Sequence, residues 1–150
     1  MVIQRQEHIG SLWFTWIYIS DTHSEMLITP HQVTEAEALT YQQAYIEAHQ
    51  YDDVQQASIG LYENKEILRT VALWIKANDP TLTQWNSYLK TLAWYDAYMI
   101  RYWLAQLALK LAERGDIDIT DFTETQVLAK LKAFIINQPL RRLNKILFGE

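Results

Sequence analysis

Asp96 stands in an apolar series, Trp85, Leu89, Leu92, Met99, Trp103 and Leu107, whose members recur at helical spacing. A carboxylate in such a stripe must be paired, hydrogen-bonded or neutralised by a raised pKa. Two chemistries follow. Asp96 is either a structural group held by Tyr, Trp, Arg or His donors of a neighbouring helix, or an acid or base in a pocket lined by Tyr95, Met99 and Trp103. It is the one catalytic candidate, and no catalytic motif accompanies it.

Other chemistry is excluded by spacing. Gly10, Gly60, Gly115 and Gly149 lie far apart, so neither a P-loop nor a dinucleotide fingerprint can be assembled. Gly-x-Ser-x-Gly and His-Glu-x-x-His are absent. Without cysteine there are no disulfides, thiolate metal sites or Cys nucleophiles. Asp116-Ile117-Asp118-Ile119-Thr120-Asp121 starts like a calcium loop, but Asp121 occupies the glycine position and Val127 that of the bidentate Glu. His8, His23, His31 and His49 lack paired ligand spacing, and His49 with Glu47, Asp52 and Asp53 reads as a solvated helix end. The expectation is therefore no metal and no cofactor.

Aromatic residues point instead to recognition. Six Trp, nine Tyr and four Phe are an excess of large rings for 150 residues, and they favour a wide contact surface or a ring-stacking pocket. Trp94 and Tyr98, with Tyr102 at the border, fall on the side opposite the apolar stripe, where solvated residues belong, so either other parts of the chain cover them or they anchor a partner. Trp13 and Trp16 point to opposite faces of a strand, so one face is expected to meet the helices and the other a neighbour. A third surface is basic: Arg141, Arg142 and Lys145, with Lys130 and Lys132, could touch an acidic protein, an anionic membrane or nucleic acid, although a solvated helix face is the plainer reading.

The net charge of −5 disfavours nucleic acid as the main partner. Its distribution is uneven: residues 1–66 hold ten acidic and two basic side chains, residues 67–150 eight and eleven, an asymmetry able to orient head-to-tail contacts between copies or to steer a basic partner to the N-terminal half, although a solvated surface is the commoner meaning. The most apolar region, 88–112, carries Lys90, Asp96, Arg101 and Lys110, too many charges for a transmembrane segment. Glu7 and strand-like alternation make the first twenty residues unlike a signal peptide. A soluble protein, cytoplasmic or part of a larger particle, is expected.

These residues need elements to position them. Thr81-Leu82-Thr83-Gln84 opens a helix with a reciprocal cap and Gly115 closes it, so the spacing predicts one long central helix over about 81–114, roughly 50 Å in length. Ser11 to Thr29 predicts a β-hairpin broken at Asp21-Thr22-His23-Ser24. A peripheral helix follows to about Gln50, starting at Thr29-Pro30 or at Thr34-Glu35-Ala36-Glu37. Tyr51 to Gly60 is undecided between loop and short helix. From Tyr62, the stripe Ile67, Leu68, Val71, Trp74 and Ile75 predicts a helix ending at Asn78. Asp121-Phe122-Thr123-Glu124 opens another, with Val127, Leu128, Leu131, Phe134 and Ile135 inward, and Pro139 separates a short basic helix at 139–148.

The sequence thus describes a mainly α, single domain over 1–150, with four to five helices around the central one and an N-terminal hairpin at 11–29. Small, cysteine-free, aromatic-rich helical chains resemble phage structural or assembly proteins in general texture. The expected function is a non-catalytic structural, assembly or protein–protein interaction subunit, homo- or hetero-oligomeric, docking through Trp94, Tyr98, Tyr102, Trp13 and Trp16. The alternative is a small enzyme or ligand-binding domain around a buried Asp96.

Overall fold

Alternating side chains in the N-terminal fifty residues build an antiparallel sheet, which a computed structural model of the chain, describing residues 1–60 and 65–150, shows with three strands. They are β1 (Ile3–Ile9), β2 (Leu12–Ser20) and β3 (His23–Thr29), in the order β1-β2-β3. The expected hairpin is β2-β3, and β1 adds a strand that sequence reading did not anticipate. Its run IQRQEHI carries five polar or charged residues in succession, which hides the alternation.

Pairing fixes the two faces. Trp16 lies opposite Arg5 and Met26, Phe14 opposite Glu7 and Ile28, so these share the outer face. Thr15 and Ile17, both fully buried, share the inner face with Leu27. That face is covered by α1 (Glu35–Ala48), which supplies Ala38 and Tyr41 and follows the buried Val33. Of the two starts considered for α1, the structure uses Thr34, whose hydroxyl accepts from the Glu37 amide while Glu37 reaches back to Thr34. Side-chain amides fasten helix to sheet: Gln42 donates to the Tyr18 carbonyl at 2.7 Å and Gln6 to the Val33 carbonyl at 2.8 Å.

Residues 1–50 form one compact unit and 51–150 a second. The second is helical throughout its described residues: α2 (Asp52–Ile59), α3 (Lys65–Asn78), α4 (Leu82–Lys90), α5 (Trp94–Glu113), α6 (Glu124–Asn137) and α7 (Leu140–Phe148). The stripe expected to begin at Tyr62 starts outside the described residues. The undecided stretch after Tyr51 is α2, with Val54 and Ser58 buried completely. Ser58 donates to the Gln55 carbonyl at 2.9 Å and also to the Leu147 carbonyl, so a polar residue joins α2 to α7.

The long central helix is corrected to two. Thr91 and Leu92 donate backbone bonds to Tyr88 and Leu89, three residues back, and the Thr91 hydroxyl takes the Tyr88 carbonyl at 2.6 Å. This tightened turn ends α4, and Ala93, extended at ψ 146°, begins α5. Neither Gly nor Pro announces the break, because Thr achieves it by competing locally for a carbonyl. The break also rephases the second half. Ala97, Ile100, Trp103, Leu104, Leu107, Ala108 and Leu111 are buried, while Asp96 and Met99, expected within the stripe, lie half-buried beside it.

The far end is as expected. Gly115 has φ +81°, its amide reaches Ala112, and that of Asp116 reaches Leu111, which closes α5 with paired bonds. Two lysines clasp the C-terminal ends of α3 and α6 together: Lys76 donates to the Ile136 and Gln138 carbonyls at 3.0 and 2.6 Å, and Lys132 to the Pro80 carbonyl and the Asp79 carboxylate, each at 3.0 Å. Trp85, Leu89, Leu68, Ile75, Leu131 and Ile135 complete the core between these helices.

Truncating Trp85, 1% exposed, to Ala should cost about 3–5 kcal/mol in urea unfolding. Gly115→Ala, with open space around the added carbon but a left-handed backbone, should cost about 1 kcal/mol by the same measurement.

Candidate protein-docking surface

The rephased α5 sends one face inward and leaves another outside. Trp94, Tyr98 and Tyr102 follow each other at every fourth residue and are 80, 61 and 45% exposed. Tyr95 flanks them, stacked edge-on against Trp94 at 5.9 Å. Beside Trp94 runs an open recess of about 570 Å³ bounded by Asn86, Lys90, Ala97, Arg101 and Glu124. Arg101 is held across it, donating to Glu124 at 3.3 Å and to Asn86 at 3.4 Å. Such rings on a rigid helix present large area with few rotatable bonds, as docking anchors do.

Trp13 and Trp16 lie on opposite faces of β2, as the alternation predicts. Trp13 stacks on His8 at 4.3 Å, nearly parallel. Trp16 is on the outer face with the Arg5 guanidinium 4.5 Å above its ring. Ile9, Leu12, Met26 and Ile28 are exposed on that same face, making it apolar where a one-layer sheet would be polar.

Asp96 opens the first turn of α5, where a carboxylate suits the positive end of the helix dipole. It lines a recess of about 250 Å³ with Glu66, Thr70, Tyr88, Leu92 and Ile100. Burial raises the Tyr88 phenol above its ordinary value. Tyr95, Met99 and Trp103 are not among the lining residues: Trp103 is wholly interior and Tyr95 points to solvent.

The basic residues of the C-terminal segment are spread over several environments. Arg141, Arg142 and Lys145 are all exposed on α7, Arg142 with its guanidinium 5.9 Å from the centre of the Tyr51 ring, whereas Lys132 is engaged at the end of α3. Leu140 is exposed at the start of α7, and Leu143, Ile146, Leu147 and Phe148 form its buried face. Sequence reading missed a clasp at the end of α7, where Glu150 meets Lys65 at 2.8 Å and Arg69 at 2.7 Å, with Arg69 also over the Phe148 ring. The pair of cations holds the Glu150 carboxyl down at about 2, Arg69 being the larger influence.

The histidines are placed as surface partners. His23 contacts Glu25 at 2.7 Å and Tyr45 at 3.2 Å, the His49 ring lies tilted against Tyr45 at 4.3 Å, and His31 contacts Glu37 at 2.9 Å. Hydrogen bonds from His23, then Tyr45, lower the Glu25 carboxyl. Among the described residues, no three His, Cys, Asp or Glu side chains converge on a possible metal position, and no helix is long and apolar enough to cross a membrane.

Comparison with known proteins adds no constraint. No family model matches the chain, and no curated protein or solved structure shows significant similarity to it.

Glu150 titrates lower in the folded chain than its ordinary 4.5, so the unfolded chain binds the proton more readily. Its stabilising contribution is complete above about pH 4.5 and disappears as pH falls toward 2. In acid unfolding, the stability difference between the wild type and Glu150→Gln should therefore narrow across that window and be constant above it.

Proposed function

We propose that this chain is a non-catalytic interaction or assembly subunit that docks on protein through the exposed rings of α5, with the outer sheet face as a second contact area. The observation that carries this reading is the exposure of Trp94, Tyr98 and Tyr102 on a helix whose other face is fully packed. Rings of this size left in water cost free energy that burial against a partner recovers, at about 25 cal/mol per Å² of apolar surface. Lys90 and Arg101 at the border provide the polar rim that a docking surface needs.

A ligand-binding or catalytic reading around Asp96 draws support from the recess it shares with Glu66 and Thr70. That recess is open, and half of its lining, Ile67, Val71, Leu92 and Ile100, is apolar and belongs to the packing of the helical unit as directly as it would to a substrate site.

A photo-crosslinking phenylalanine analogue at Tyr98, expressed in the producing cell, should yield adducts of discrete mass. The added substitution Trp94→Ser should abolish them, while changing stability by no more than about 0.5 kcal/mol because the ring is exposed. A continuous smear, or adducts indifferent to Trp94→Ser, would remove the docking reading.

A further inference from the structure

The exposed stripe of α5 does not end with its rings. Continuing along the same side of the helix, the next positions are Ala105, Leu109 and Ala112, all partly exposed. The stripe therefore has an aromatic N-terminal half and a less bulky aliphatic C-terminal half, with alanine at two of its three positions, over the span from Trp94 to Ala112, roughly 27 Å.

We propose that the occupant of this face is a second copy of the chain, with the two α5 helices antiparallel about a two-fold axis near Trp103. This rests on the docking reading above and names its partner. Antiparallel pairing about that point sets Trp94 over Ala112 of the other copy, Tyr98 over Leu109, and the two Tyr102 rings side by side at the axis. Bulk meets a small residue at each end, so the backbones approach to the 8–10 Å of packed helices. A parallel pair would set ring on ring at one end and leave a gap at the other. A patch that matches itself when reversed is the property a two-fold interface requires.

Charge supports the same direction. Exposed Lys90 precedes the N-terminal end of α5; at the C-terminal end Glu113 pairs with Lys110 at 3.5 Å and Asp116 with Arg114 at 3.4 Å, and exposed Asp118 just beyond gives that end its acidic excess. Antiparallel pairing brings the Lys90 end of each copy to the Glu113–Asp118 end of the other, and parallel pairing brings like to like. The helix dipoles are opposed in the favourable sense as well.

Because the chain has no cysteine, a single introduced one reports contacts cleanly. Light scattering of the wild type should give twice the chain mass, and Trp94→Ser/Tyr98→Ser should give a folded monomer. Ala105→Cys, close to the axis, should form a covalent dimer with a short bismaleimide, and Lys130→Cys on α6 should not. Lys90→Glu should weaken the dimer about fivefold, and adding Asp118→Lys in the same chain should restore it. A wild type monomeric up to about 1 mM overturns self-pairing. A dimer that Ala105→Cys fails to trap, or that the charge exchange leaves weakened, overturns the antiparallel arrangement. Discrete adducts at Tyr98 in the cell together with a monomeric purified chain would retain the docking reading and reject the second copy. Absence of both would reject the two together.

Discussion

The competition at Thr91 for the Tyr88 carbonyl is a small interaction on which much of the helical unit depends. Had the helix run on, the stripe from Trp85 to Leu107 would have carried Asp96 into the core, with the desolvation that a buried carboxylate entails. Interrupting it allows α4 to bury Trp85 and Leu89 and α5 to start again with Ala97 and Ile100 inward. Asp96 is thereby moved to the first turn of a helix, an environment in which a negative charge is an asset. The same rephasing leaves Trp94 on the outside.

Legibility followed from where a residue's signal is local. The capping box at Thr81, the glycine closure at 115, the stripes of α3 and α6 and the stop at Pro139 are encoded by residue type at fixed offset, and each appears where the pattern puts it. The break at 91–93 is encoded by one hydroxyl in a stretch of good helix formers, so periodicity runs straight through it. α2 escaped because its inward face is Val54 and Ser58, and a buried serine looks polar until its carbonyl partners on α2 and α7 are known. β1 escaped because its outer residues are Arg5 and Glu7, with the apolar content of that face supplied by its neighbours.

For the candidate surface, the aromatic residues were legible and their surroundings were not. Helical angles place Trp94, Tyr98 and Tyr102 away from the core whether or not the helix is continuous across residue 91, since all three follow the break. The basic patch fared differently, because long side chains reach whatever lies nearby: Lys132 is drawn to the end of α3 and Arg142 to Tyr51, contacts that no spacing in the sequence records. The clasp at Glu150 belongs to the same class, joining residues more than eighty positions apart.

The two hydrophobic clusters are very unequal. Residues 1–50 have Ile17, Val33 and Ala38 as their buried apolar centre, while the helical unit, among its described residues, buries two dozen in one contiguous cluster. Cooperativity scales with what is shared, so a chain with two centres has no single melting temperature in the strict sense. Amide protons of the sheet should therefore report openings of the small centre and those of α3, α5 and α6 unfolding of the helical unit, which gives the molecule two clocks of backbone exchange rather than one.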